Sequence, residues 1–221
     1  MAGDTLDSCP WIRTCPPPLS TGYWPCLARA GCCAIRPGDR VAVVQPGVLN
    51  GDLQKALAAH RLFWPPDPTS APYCSIGGNL GCNAGGPRAV KYGATRDNVL
   101  ALLAVTGAGE RVRFGAATTK ASSGYDLSRL LIGSEGTLAL VVEATLRLVP
   151  LPPQTRILRA MYVDTGAAAR AVARLMAQPI TPSMLEYLDA RCVVLARDVG
   201  GVDLHDAGAM LLIEPDGDAA T

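Results

Sequence analysis

Histidine is scarce in this 221-residue chain, with only His60 and His205 present. His60 has no carboxylate or cysteine close by to tune it, so it reads as a solvent-facing helix end, and His205 sits in no motif. No C-x-x-C occurs, which removes the usual paired-ligand zinc sites, and no metal is expected. Five of the eight cysteines (Cys9, Cys15, Cys26, Cys32, Cys33) crowd the first 33 residues. No basic start runs into an apolar signal-peptide core, however, so the compartment reads as reducing and not as one that forms disulfides. Cys74, Cys82 and Cys192 then read as small core or loop residues. No apolar run reaches the roughly 18 residues of a membrane-spanning helix. Net charge is +1 with scattered Lys and Arg, which gives no basic face for nucleic acid. Neither G-x-G-x-x-G opening a helix after a strand nor G-x-x-x-x-G-K-[ST] is found, which argues against Rossmann and P-loop folds.

What the chain does have is glycine, concentrated in one place. Between Ser75 and Asp97, glycines stand at 77, 78, 81, 85, 86 and 93, several times the usual frequency of about 7 %. Glycine is needed where φ is positive or where something must approach closer than a Cβ allows. The stretch mixes these glycines with Ser75, Asn79, Asn83, Thr95 and Asp97. Two readings stay open on composition: a surface loop, or a nest of backbone N–H groups around an anionic, extended ligand such as a diphosphate nucleotide. The apolar Ile76, Leu80 and Val90, and the stiff opening Pro65-Pro66-Asp67-Pro68, weigh against a free linker.

Read in order, residues 1–34 show no period of 2 or 3.6, and Pro16-Pro17-Pro18 would break either element. Val41, Val43 and Val44 form a short strand ending at Pro46-Gly47. Asn50 caps a helix that carries Leu53, Ala56 and Leu57 on one face. Val99–Val105 and Arg111–Phe114 read as strands joined through Gly107-Ala108-Gly109. A short helical turn follows Tyr125, and GSEGTL (133–138) is a turn or a pocket wall. Leu138, Leu140, Val142, Ala144, Leu146 and Leu148 alternate with polar residues along the clearest strand in the sequence. Pro150, Pro152 and Pro153 mark a boundary. Beyond it come a strand near 157–163, a helix capped by Thr165 with Ala168, Val172, Leu175 and Met176 in one core stripe, and strands near 184–188 and 210–214.

Three runs carry a resemblance: VVQPGVLNGDLQKALAAHRLFWPPDP, SIGGNLGCNAGGPRAVKYGATRDNVL and KASSGYDLSRLLIGSEGTLALVVEATLRLVPLP. Together they resemble FAD-linked oxidases of the vanillyl-alcohol oxidase type, within them the glycolate oxidase FAD-linked subunit and D-lactate dehydrogenase group. The resemblance implies an α+β chain: a PCMH-type FAD-binding domain over 35–152, truncated in its N-terminal subdomain, then the start of an α+β ferredoxin-like cap domain over 153–221. Residues 1–34 match nothing in the family, and are expected to be a truncated or out-of-frame start, so the chain is expected to be a fragment, inactive alone.

Carried over residue by residue, the resemblance implies FAD held against several segments. Pro66, Asp67 and Pro68 would lie beside the flavin ring. Ser75, Ile76, Gly77 and Gly78, with Asn83, Ala84 and Gly85, would line pyrophosphate and ring with N–H groups. Gly93, Thr95 and Asp97 would close the ring side, and Gly133, Ser134, Glu135, Gly136, Thr137 and Leu138 would meet the ribose and adenine end. The reaction implied is oxidation of a small D-2-hydroxy acid by hydride transfer to flavin. Electron-transfer partner subunits and a cytoplasmic location, with membrane attachment only through partners, go with it. No catalytic residue is assigned. A non-catalytic FAD- or nucleotide-binding fragment is the alternative, whereas the related reductase of a cell-wall sugar nucleotide fits KYGATRD and GYDLSRL poorly.

Overall fold

A computed structural model describes residues 31–120 and 124–217. The elements in order are β1 (Cys32–Arg36), β2 (Val41–Val44), α1 (Asn50–Ala58), β3 (Leu62–Phe63), α2 (Ile76–Cys82), α3 (Ala89–Tyr92), β4 (Val99–Thr106), β5 (Arg111–Gly115), α4 (Leu127–Leu131) and β6 (Ala139–Arg147). There follow β7 (Val149–Pro150), β8 (Gln154–Thr155), β9 (Leu158–Tyr162), α5 (Thr165–Met176), β10 (Met184–Asp189), α6 (Ala190–Asp198), β11 (Ala209–Glu214) and β12 (Asp216–Gly217). Two antiparallel sheets organise them: a five-stranded one in the order β1-β2-β6-β4-β5, and a three-stranded one in the order β10-β11-β9. Among the described residues, regular structure begins at Cys32, inside the segment expected to be irregular. The rest of that expectation, with Cys9, Cys15 and Cys26, falls outside the described residues.

Strand β6 corrects the simple alternation read from sequence. Between Leu103↔Glu143 and Ala104↔Val141 its pairing with β4 skips one residue, so Val142 is extra. A bulge of this kind reverses which parity faces the core. Ala144, Leu146 and Leu148 do point inward, but before the bulge it is Ala139 and Val141 that join the core, and Leu138 is 49 % exposed.

The first core packs α1, α2 and Trp64 against the large sheet. Trp64 is fully buried and donates its indole N–H to the Asn98 carbonyl at 3.0 Å. Asn50 is not the cap of α1. Leu49 precedes the helix, and the buried Asn50 amide donates to the Pro66 carbonyl at 3.0 Å, while Gln54 one turn on holds both the N–H and the carbonyl of Trp64. Two polar side chains on one helix thereby fix the backbone leading into Pro66-Asp67-Pro68. Such buried amides are retained because unmet peptide groups are costly.

In the second sheet, Ala168 and Ala171 of α5 pack on Ala209 and Leu211, while Val193 of α6 packs on Met210. Neighbouring strand residues face opposite ways, so the two helices lie on opposite faces. Asp164, one residue before Thr165, caps α5 by accepting the Ala167 N–H at 2.6 Å, because a carboxylate is the stronger acceptor for a first-turn amide. Met176 is exposed and takes no part in the stripe, and α6 was not legible. Cys82 and Cys192 are exposed, and Cys74 half-buried, so none is a core residue.

The two sheets meet through polar contacts. Arg88 lies 3.4 Å from Asp67 and 3.6 Å from Glu214, and stacks over the Phe63 ring at 5.5 Å. Lys91 and the Tyr92 hydroxyl both bind Asp216. Burial pushes the Asp67 carboxyl above the usual carboxylate range, and the Arg88 N–H and guanidinium offset this only in part.

Two outcomes are expected from this packing. Leu102→Ala, at a site 1 % exposed, should lower unfolding stability by about 2–5 kcal/mol in urea titrations, and an unchanged midpoint would contradict the core described. For Asp67, the folded chain holds a proton that the unfolded chain has released, so stability falls as pH rises between the ordinary and the raised value. Asp67→Asn should flatten that fall in urea midpoints taken between about pH 4 and pH 7, whereas parallel profiles would contradict it.

Candidate flavin groove

The glycine-rich stretch is more structured than a nest. Ser75 caps α2, its Oγ accepting the Gly78 N–H at 3.1 Å. The Ile76 N–H is donated to Val48, that of Gly77 to Pro46 at 2.7 Å, and that of Asn79 to Ser75. These amides are therefore spent inside the protein, against the expectation that they reach a ligand. Helix α2 closes at Asn83, in left-handed conformation at φ 50°, and the Asn83 Oδ1 accepts the Arg96 N–H at 2.9 Å. The Ala84 carbonyl takes both the N–H and the hydroxyl of Thr95, and Asp97 takes the Ala94 N–H. Asn83, Ala84, Gly93, Thr95 and Asp97 thus brace one another.

The far wall docks onto the end of α2 by two main-chain bonds: Gly133 N–H to the Leu80 carbonyl at 2.9 Å, and Glu135 N–H to the Gly81 carbonyl at 3.0 Å. Gly133 (φ 90°), Glu135 (φ 51°) and Gly136 (φ 78°) turn this segment back through positive φ. The Thr137 hydroxyl is used internally, donating to the Ser134 carbonyl at 2.6 Å.

Between these walls runs a groove of about 390 Å³, lined on one side by Pro46, Ser75, Gly77, Gly78, Gly81 and Cys82, and on the other by Ser134, Glu135, Gly136, Ala139, Leu140 and Val141. Its size lies in the range of small-molecule sites. Of the residues implied by the resemblance, Ser75, Gly77, Gly78, Ser134, Glu135 and Gly136 share this groove. Ile76 is buried in the core, while Leu138 is exposed beyond the strand end. Pro66, Asp67 and Pro68 belong to the contact between the sheets. Asp97 lines a second, polar cavity of about 430 Å³, with Tyr125, Asp126, Arg129 and Arg147 among its walls.

The glycines divide into two kinds. A Cβ on Gly77 would come within 2.7 Å of the Pro46 ring, one on Gly86 within 2.6 Å of the Asp67 main chain, and one on Gly93 within 2.6 Å of the Asp97 carboxylate. At these positions glycine serves protein packing. A Cβ on Gly78 would meet only Ser75 Oγ at 3.4 Å, one on Gly81 only Glu135 Cα at 4.0 Å, and one on Gly136 nothing within 4 Å. These three front the open groove. Sequence reading missed Gly81, Pro46 and the Ala139–Val141 wall. Gly81 was visible in the glycine count, but Ala139 and Val141 were hidden by the bulge.

The groove offers donors that suit part of an FAD. The Gly136 N–H has no hydrogen-bond partner among the described residues, and the Ser75 and Ser134 hydroxyls front the groove, whereas Gly85, Gly86 and Leu138, whose N–H groups are likewise unmatched there, lie outside its lining. No cation lines it, so a diphosphate placed there would rely on N–H and O–H dipoles.

Comparison with known proteins agrees with this geometry. The model for the FAD binding domain matches residues 31–115, and that for the C-terminal domain of FAD linked oxidases matches residues 151–221. The glycolate oxidase subunit GlcD of Bacillus subtilis (strain 168) is 45 % identical over 177 residues, which cover 80 % of this chain and 38 % of that protein. A D-lactate dehydrogenase of Anaerostipes hadrus is 38 % identical over 186 residues, covering 81 % and 39 %. The chain therefore spans less than two-fifths of the length of these relatives. Among solved structures, an alkyldihydroxyacetonephosphate synthase superposes with a TM-score of 0.72 over 86 % of this chain and 37 % of its own, at 19 % identity, a likeness of fold. The two domain matches in series make this chain a member of the FAD-linked oxidases, with a PCMH-type FAD-binding domain and FAD as its cofactor.

Proposed function

We propose that FAD lies in the groove between α2 and the 133–141 wall, and that the whole protein oxidises a small D-2-hydroxy acid of the glycolate or D-lactate kind. The observation that carries the first half is the trio Gly78, Gly81 and Gly136, contributed by segments more than 50 residues apart, all opening on one space. The second half rests on the relatives named for glycolate and D-lactate. When bound, FAD supplies the two-electron acceptor that oxidation of a 2-hydroxy acid to its 2-oxo acid requires.

The residues of this chain bind and orient. Ser75 and Ser134 present hydroxyls, Gly136 presents an N–H, and Ala139 and Val141 give the groove an apolar floor. Asn50 and Gln54 hold the 64–66 backbone, the segment we assign to the flavin-ring side. Proton removal from the substrate is not assigned to this chain. His60 and His205 are exposed, and the Tyr92 hydroxyl is kept protonated by burial and by its bond to Asp216. The domain limits 35–152 and 153–221 remain part of the proposal. So do partner subunits that receive the electrons, a reading supported by the word subunit in the name of the Bacillus relative. No helix among the described residues is long and apolar enough to cross a membrane, which accords with attachment, if any, through such partners.

A pair of substitutions separates the two kinds of glycine. Gly81→Leu places a side chain in the groove at a helical position where leucine is favoured over glycine by about 0.5–0.8 kcal/mol. It should keep the thermal midpoint and weaken FAD binding at least about tenfold, a loss of about 1.4 kcal/mol. Gly86→Ala should destabilise the fold through its clash with Asp67. Equal flavin affinity in Gly81→Leu and parent would contradict the groove assignment. Separately, flavin bound to the full protein should bleach anaerobically with D-lactate or glycolate; flavin that no 2-hydroxy acid reduces would favour a nucleotide-binding role without catalysis.

A further inference from the structure

The contact between the sheets joins residues more than 120 positions apart in the chain. Asp216, its side chain 2 % exposed, receives both the Lys91 ammonium and the Tyr92 hydroxyl. Two residues earlier, Glu214 accepts the buried Ser183 hydroxyl at 2.8 Å and faces Arg88 at 3.6 Å. Arg88 reaches on to Asp67, both by its guanidinium at 3.4 Å and by its N–H at 3.2 Å. Phe63 and Tyr92 meet edge to face at 5.4 Å. Asp216 also pairs through its backbone with Thr155, just past the prolines at 152 and 153, so it sits where the chain enters and leaves the second sheet.

Carboxylates this buried do not hold a position by chance, because each loses its hydration and must recover it from specific cations and donors. A surface pair would couple nothing, but here removing one partner leaves the others unmatched. The contact with Asp67 runs from Glu214 through Arg88, while Asp216 holds Lys91 and Tyr92, three and four residues further along the same short segment.

We propose that Asp216 and Glu214 are positioning residues whose contacts with Lys91, Tyr92 and Arg88 lock the second sheet onto α3 and thereby hold the Pro66-Asp67-Pro68 segment in place. It rests on the flavin reading only in treating that segment as part of the cofactor site. The lock makes the placement of the second sheet and the geometry beside Asp67 one coupled variable. Lys91 and Arg88 are structural cations in it, not free ligands for a substrate carboxylate.

The test uses the full 221-residue chain and amide hydrogen exchange, with Asp216→Ala, Asp216→Asn and Lys91→Met. Asp216→Ala should speed exchange at least about tenfold at residues 88–93, including the Arg88 N–H that Asp67 holds, and leave β4 and β6 unchanged. Asp216→Asn, which keeps an acceptor for Tyr92 and loses the charge for Lys91, should fall between parent and alanine; Lys91→Met should resemble it. Faster exchange confined to 214–217, with 88–93 as in the parent, would overturn the proposal, as would global loss of protection in all three variants. If FAD is added, the absorption band of bound flavin should shift in Asp216→Ala; FAD binding by neither protein, together with the expected exchange pattern, would end the groove reading and leave the lock standing.

Discussion

Everything around the glycine-rich groove depends on main chain touching main chain. Helix α2 is held at both ends by backbone bonds: to Pro46 and Val48 behind its start, and to Gly133 and Glu135 at its end. These approaches are possible because Gly77 carries no Cβ against Pro46, and because Gly133 and Gly136 take positive φ; Gly86 does the same for the Asp67 main chain. An alanine at Gly77 or Gly86 would push segments apart by an ångström or so, against an interior that is packed like a crystal. The same docking that consumes most of the amides leaves a groove beside them. The glycines therefore act less as ligand contacts than as the means of building its walls.

This changes how a dinucleotide is to be held. A row of free N–H groups around the diphosphate does not exist along α2, whose first-turn amides go to Ser75, Pro46 and Val48. What the groove offers is hydroxyls on both walls, an unspent N–H at Gly136 and an apolar floor formed where β6 bulges at Val142. The bulge matters functionally. Without the extra residue, the parity that buries Leu146 and Leu148 would turn Ala139 and Val141 away from the core they join.

Much of the architecture was legible because its signals are local and strong. Valines at 41, 43 and 44, the run from Val99, the alternation after Leu138 and the apolar runs beyond the prolines placed seven strands to within a residue or two. The helices α2 and α3 were not, since glycine-rich and four-residue segments have no intrinsic helical preference and are stabilised only by what they touch. Asn50 and Thr165 show a different limit. Both residue types suit a cap, but a buried carbonyl at Pro66 claims the first, and a neighbouring carboxylate outcompetes the second. The contact among Asp67, Arg88, Lys91, Glu214 and Asp216 had no sequence signature, because two of its charge pairs, Arg88 with Glu214 and Lys91 with Asp216, span more than 120 residues.

The most direct measurement is amide hydrogen exchange on the 221-residue chain with and without saturating FAD. The groove account predicts slowed exchange at Gly136, at Leu138 and along 139–141, with α2 protected further. Protection confined to the second cavity, around Asp97, Thr118 and Arg129, or absent from both, would contradict it.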